Sequence, residues 1–223
     1  MTWRRLANRL LRMCAHYRKP DPKMSQGPDL PDSSGAVILA RHGQPALSRD
    51  CRLNADEYRE WWATYEVGGL KAGQTAPPAL IETAQRAAFV IASTRLRSKE
   101  TARALTEGRA FAEDAMFIEA PLPPPRWPLW FRLNPRLWGF FARVWWWYFD
   151  HHEGQETRVQ AEVRAEEAAR QLIDLTSTGN DVLVVAHGFF NHLVGRALKA
   201  RGWRCVSDGG FNYWAAKRFE KVD

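Results

Sequence analysis

Two short apolar runs constrain this 223-residue chain more than any other feature: Val37 to Ala40 and Val182 to Ala186. Each has the length and branched-residue content of a buried strand. Each runs directly into histidine and glycine, as "ARHG" at 40–43 and "AHG" at 186–188. Packing alone gives no reason to end a core strand on Arg41 and His42, because such groups resist burial. The strands end there because their purpose is to present these side chains.

The pattern between and around the two runs alternates. Strands are predicted over 36–41, 89–93 ("FVIAS"), 115–119 ("AMFIE"), 181–187 and 211–220. Helices are predicted over 54–65 with Asn54 as N-cap, over 78–88 after Pro77 and Pro78, and over 98–108, stopped by Gly108. A long helix over 156–176 is expected to turn Val159, Val163, Leu172 and Leu175 inward, and "FFNHLVGRALKARG" forms another. Strands alternating with helices specify an α/β fold with a mostly parallel sheet.

In such sheets ligands collect at the carboxyl ends of strands, near the point where strand order reverses. His42 and His187 can therefore meet in one pocket although 145 positions separate them. Gly43 and Gly188 permit a backbone approach that a Cβ would block. A third strand end, "STRLRSKETA", adds Arg95 and Arg97 at a helix start, where the helix N-terminus and the guanidinium forks both favour anions. Two imidazoles and two guanidinium groups around one space would hold a dianion such as a phosphoryl group.

These residues carry a family resemblance. Arg41-His42-Gly43 after the first strand, Ser93, Arg97, Thr101 and Ala102 in the spacing S-x-x-x-R-x-x-x-T-A, and Ala186-His187-Gly188 after a late strand resemble the histidine phosphatase superfamily. The resemblance covers about residues 36–223 and implies the phosphoglycerate mutase-like fold, a three-layer sandwich with helices on both faces of the sheet. It implies that His42 is the nucleophile that becomes phosphohistidine. It implies that Arg41, Arg97 and His187 hold the phosphoryl oxygens, with Gly188 beside them. Thr94, Arg95 and Leu96 fill a gap where the family usually has Pro or Asp, then Leu; alignment through Thr101 and Ala102 makes Arg97 the pocket arginine, with Arg95 as the alternative. Gln44 stands where many relatives carry Glu and can still donate an amide hydrogen to phosphate. The leaving group needs an acid. Glu119 stands where the family often carries its acid glutamate, with Glu156, Glu153 and Asp150 as rivals; Gly188, where the other branch has Asp, favours the glutamate-using branch.

The chemistry agrees independently of the resemblance. A neutral imidazole nitrogen is nucleophilic near pH 7, and phosphoryl transfer needs mainly positioning and fixed positive charge. No metal or other cofactor is implied. The expected activity is a metal-independent phosphomonoesterase acting on a small phosphorylated substrate. Two alternatives stay open: a mutase that returns the phosphoryl group, and a non-catalytic phospho-ligand binding module. The mutase ranks lower because "QPALSRDCRLNADEYREWW" replaces the usual Asn-bearing continuation.

Charge is unevenly placed. The net charge is +7, but Arg4, Arg5, Arg9, Arg12, Arg18, Lys19 and Lys23 face only Asp21 within residues 1–23, so the remainder is close to neutral. That argues against nucleic acid as partner of the folded body. Residues 2–18 have the spacing of a basic amphipathic helix, and 24–35 read as a flexible linker rich in Pro, Asp, Ser and Gly. The helix has three readings: contact with an anionic membrane surface, a targeting peptide, or packing on the domain. Three scattered cysteines, Cys14, Cys51 and Cys205, form no metal or disulfide pattern and fit a reducing, cytoplasmic compartment.

Eleven tryptophans are unusual, and six fall within 126–149, inside an insert of about 120–150. Their readings are core cover, an apolar substrate pocket under a lid, or peripheral contact at the inner face of a membrane. The apolar stretch from Leu137 to Phe149 is too short to span a bilayer.

Overall fold

A computed structural model describes residues 34–222. The N-terminal helix and most of the linker expected from sequence lie outside the described residues. The strands are β1 (Val37–Arg41), β2 (Phe89–Ser93), β3 (Ala112–Asp114), β4 (Val182–Ala186), β5 (Trp203–Asp208) and β6 (Ala216–Lys221). The helices are α1 (Ala55–Val67), α2 (Pro78–Arg86), α3 (Leu96–Thr106), α4 (Pro135–Phe149), α5 (Arg158–Thr176) and α6 (Gly188–Ala200).

The strands form one sheet in the order β3-β2-β4-β1-β6-β5. The four strands β3, β2, β4 and β1 run parallel, and β6 and β5 are antiparallel additions at one edge. On one face, Ile38, Ala40, Val90, Ala92, Leu183 and Val185 pack with Leu80 and Ala84 of α2 and Ala102 and Leu105 of α3. The period of two turns the intervening residues to the other face, against which α5 and α6 pack. This is the three-layer α/β arrangement.

The adjacency of β1 and β4 positions the site. They pair in parallel with Arg41 opposite Ala186, and the His42 amide donates to the Ala186 carbonyl at 3.0 Å. The next residue on each strand is a histidine, so the two imidazoles leave the sheet side by side at its carboxyl edge. β2 flanks β4 and delivers Ser93 and then α3 to the same edge.

Three expectations are corrected. The segment 115–119 is not a strand. The Asp114 carboxylate accepts from the Met116 amide at 2.8 Å and turns Ala115–Phe117 into a single 3₁₀ turn, so the strand lies at Ala112–Asp114. The run "AMFIE" is apolar because Phe117 is buried in that turn. On α5, Val159 and Val163 face outward, 66% and 64% exposed, and Ala161, Ala165, Ala168, Ala169 and Leu172 face inward. Small residues form that buried face; the valines lie on the opposite one. Finally, β5 has no counterpart among the expected strands. It is an edge strand on which only Trp203 is buried, so its sequence carries little apolar signal.

The tryptophan-rich insert contains a second, aromatic core. Ala55 and Tyr58 of α1 and Trp138 of α4 are buried at its centre, with Trp61, Trp62, Trp127 and Phe131 around them. Leu53 and Leu133 exchange backbone hydrogen bonds at 2.8 and 2.9 Å, and the Trp138 indole donates to the Leu53 carbonyl at 2.6 Å. These bonds tie the insert to the entrance of α1. No helix among the described residues is long and apolar enough to cross a membrane.

Candidate active site

His42 and His187 lie with ring centroids 5.1 Å apart and planes inclined at 66°. Both are buried. His42 Nδ1 is 2.7 Å from the Gly43 carbonyl oxygen, an acceptor, so Nδ1 carries the proton and Nε2 presents its lone pair. Arg97 Nε donates to that Nε2 at 3.3 Å. His187 has the opposite tautomer. Its Nδ1 is 3.4 Å from Arg97 Nη2, which can only donate, so Nε2 carries the proton toward Ser93 Oγ at 3.0 Å. Burial first, then the charges of Arg97 and Arg41, hold the His42 imidazole well below its usual pKa. Burial, Arg97 and His42 do the same for His187. Both rings are therefore neutral at neutral pH.

Arg97 is fully buried. Its five N–H groups all have partners. Nη1 donates to the carbonyls of Tyr65 and Glu66 at 2.9 and 3.2 Å, and Nη2 donates to Glu66 Oε1 at 2.8 Å. The remaining Nε and Nη2 hydrogens face the two imidazoles. The carbonyls belong to the last turn of α1, whose unpaired C=O groups carry partial negative charge. That turn has no basic residue of its own, and Arg97 serves instead. Glu66 also pairs with Arg95 at 2.6 Å. One carboxylate thus braces both arginines of the "TRLR" stretch. Arg97 lines the cavity between the histidines, and Arg95 does not.

The rest of the motif has structural work. Thr101 Oγ1 accepts from the Gly43 amide at 2.9 Å and donates to the Arg97 carbonyl at 2.7 Å, joining the His42 turn to α3. A Cβ at Gly43 would lie 2.5 Å from the Trp214 ring, and one at Gly188 would only touch Arg41 at 3.4 Å. The close approach at Gly43 is therefore to an indole. Arg41 lies with its guanidinium carbon 4.4 Å over the Tyr213 ring and donates to the Phe211 carbonyl. Its Nε is buried without a partner in the protein.

Glu119 lines the same cavity as both histidines. Its carboxylate accepts from the Phe189 and Phe190 amides at 3.2 and 2.9 Å, at the N-terminus of α6, which begins directly after His187. The rivals are engaged elsewhere. Glu156 forms a two-pronged pair with Arg164 at 2.7 Å, Glu153 pairs with Arg59 at 2.7 Å, and Asp150 ends α4 in the left-handed region. None of the three lines the cavity.

Gln44 is a correction. Its side chain is exposed and does not line the cavity. Gln74 accepts from the Gln44 amide and donates to its carbonyl, each at 2.7 Å, and Lys71 N donates to the same carbonyl at 2.8 Å. This clamp fixes the backbone, and the amide group projects outward.

Several contributors escaped the sequence reading. Glu66 has no local signature, because its partners are thirty residues away. Tyr213 stacks at 5.8 Å from His42, and Trp214, at φ 63°, packs on the His42 turn. The only hint was the cluster "FNYW" after two glycines. Tyr58, Trp61, Trp62 and Tyr65 line the cavity from α1, and their i, i+3, i+4, i+7 spacing was available in the sequence.

The sequence profile of the histidine phosphatase superfamily (branch 1) matches residues 37–206. The chain belongs to that family. Its fold is similar to that of the product of open reading frame Rv3214 from Mycobacterium tuberculosis, at 20% identity and a TM-score of 0.52, over 82% of this chain and 90% of that one. Weaker likenesses link it to ecdysone phosphate phosphatase from Bombix mori, at 14% identity and TM-score 0.48 over 85% and 92% of the two chains. The YhfR protein of Bacillus stearothermophilus gives 20% identity and TM-score 0.45 over 75% and 81%. These likenesses concern the fold. A search among curated proteins found no match.

Proposed function

We infer that the protein is a metal-independent phosphomonoester hydrolase working through a phosphohistidine on His42. The observation that carries this reading is the shared arginine: Arg97 touches the facing nitrogens of two neutral imidazoles 5.1 Å apart. A phosphoryl group entering between them takes up the Nε and Nη2 hydrogens of Arg97, a fork that matches two phosphoryl oxygens. Arg41 and His187 add donors on other sides once His187 gains a proton or turns its N–H inward.

In the first step His42 Nε2 attacks phosphorus, the P–O bond to the alcohol breaks, and its electron pair stays on the leaving oxygen. Glu119 supplies the proton to that oxygen. In the second step the Glu119 carboxylate takes a proton from water, the water oxygen attacks phosphorus, and the P–N bond breaks. Phosphate leaves and His42 regains its lone pair. The Gly43 carbonyl keeps Nδ1 protonated and Nε2 aimed throughout. Fixed guanidinium charge stabilises the charge that develops on the phosphoryl oxygens.

The test is turnover of a generic aryl phosphate with and without chelator, beside His42→Ala, with mass analysis of the protein after an alkaline quench, because the P–N bond of phosphohistidine does not survive acid. The hydrolase gives chelator-insensitive phosphate release and a transient mass gain of one phosphoryl group, both lost in His42→Ala. Transfer to a second acceptor in place of water identifies a mutase. Binding of phosphate without turnover of any ester overturns the enzymatic reading.

A further inference from the structure

The cavity that holds the two imidazoles extends past them, with a volume of about 280 Å³. Beyond the phosphoryl end one wall is a single helix face. Tyr58, Trp61, Trp62 and Tyr65 project from successive turns of α1. Three pairs of these rings stack: Trp61 and Trp62 each lie 5.1 Å from Tyr65, inclined by 20° and 22°, and Tyr58 lies 5.8 Å from Trp61 at 14°, while Trp61 and Trp62 are tilted 38° to each other. Facing them are Leu122, Pro135, Gly139 and Phe189. Gly139 leaves room here; a Cβ at that position would lie 3.7 Å from the Tyr58 hydroxyl. The charged groups on this stretch are Arg49 and Arg136, and Arg49 is occupied by the Tyr65 hydroxyl at 3.0 Å.

We propose that the alcohol of the substrate is a flat, largely apolar ring system that lies on the α1 rings while its phosphate sits between His42 and His187. The inference rests on the phosphatase reading and specifies its leaving group. Two facts support it. Trp61 and Trp62 are half-buried and border the cavity, so part of each ring is open to it, with the buried Tyr58 and Tyr65 stacked behind them. Against these rings a polyol or amino-acid alcohol would surrender most of its water bonds, with only the unpartnered Tyr58 hydroxyl and Arg136 on the wall to replace them. A planar apolar group loses nothing and gains ring contact. The volume lies just under the usual range for ligand pockets and is matched by one or two fused rings.

The experiment compares 2-naphthylmethyl phosphate with glycerol 1-phosphate and glucose 6-phosphate. All three are alkyl esters, so leaving-group acidity does not dominate the comparison. The expected result is a kcat/KM at least about tenfold higher for the naphthylmethyl ester, carried by KM. In Trp62→Ala the advantage of the naphthylmethyl ester over glycerol 1-phosphate falls to within about threefold. Trp62→Leu keeps apolar bulk without the ring; it serves if the alanine variant does not fold, and it too is expected to lose most of the advantage. Equal or higher kcat/KM for the polar esters overturns the inference and leaves the phosphatase reading standing. If no ester is hydrolysed, the phosphatase reading fails separately. Calorimetric titration with 2-naphthylmethylphosphonate and propylphosphonate then decides the wall's preference: tighter binding of the former supports it, and equal binding ends it.

Discussion

At the floor of the cavity all five N–H groups of Arg97 have named acceptors, and each imidazole has one tautomer fixed by a neighbour. Along the α1 wall the contacts are ring against ring, with few directional bonds. The floor tolerates one arrangement of atoms, because a buried group left unpartnered costs the full penalty of its lost hydration. The wall tolerates several, because apolar contact is not directional. A fixed set of hydrogen bonds around two imidazoles is thus joined to a surface of apolar ring contacts.

The sharpest break of that contrast is His42→Ala, which removes the nitrogen proposed to attack phosphorus. Turnover of any phosphomonoester is expected to fall by about 10⁴-fold or more, measured as phosphate release. Next comes Glu66→Gln, which leaves the charges of Arg95 and Arg97 without their shared carboxylate. Chemical denaturation is expected to show a loss of about 2 kcal/mol, and kcat to fall about 10- to 100-fold as the guanidinium fork loosens. Gly43→Ala separates the two glycines: its Cβ would strike the Trp214 ring, so a loss of about 1–3 kcal/mol is expected, while Gly188→Ala, in ordinary contact with Arg41, costs less.

Acid gives a smaller effect. His42 and His187 are held neutral in the folded protein, so below about pH 6.5 the unfolded chain binds more protons than the native state. Stability is therefore full above that pH and falls as pH is lowered from 7 to 5.5, by about 1 kcal/mol per imidazole. Thermal unfolding followed across this window should lose part of its slope in His187→Gln; an unchanged slope would assign the dependence to other groups. The smallest effect is expected at Trp130, which is 80% exposed in the insert. Trp130→Ala should change stability by no more than about 0.5 kcal/mol and leave kcat/KM unaltered. A marked loss would mean that the insert's outer rings also contribute to the wall.

The same contrast separates what the sequence disclosed from what it withheld. The strand ends at His42 and His187 were legible because a buried strand and its terminal residue are contiguous in the chain. Arg97 was legible through its spacing from Ser93 and Thr101, although the bonds of those two residues to His187 and Gly43 were not foreseen. Glu66 was hidden because a carboxylate near a helix end resembles any solvated residue until the fold brings arginines to it. Gln44 misled because an amide's chemistry says nothing of its direction, which the Gln74 clamp decides. The strand at 115–119 misled because apolar residues pack equally well from a tight turn. The α1 wall was visible as spacing, yet the same face also packs on Trp138, so periodicity could not distinguish cavity from core.

Neighbouring positions of β1 and β4 have a consequence for how such a protein can change over generations. The gap between the reactive rings is set by one ladder of backbone bonds, not by the long stretch of chain that joins the two strands. Changes of length or sequence in the α4 insert leave that ladder in place and reach the imidazoles only through α1, which Trp138 buttresses and whose last turn holds Arg97. A one-residue slip of either strand, in contrast, turns its histidine to the opposite side of the sheet and silences both at once.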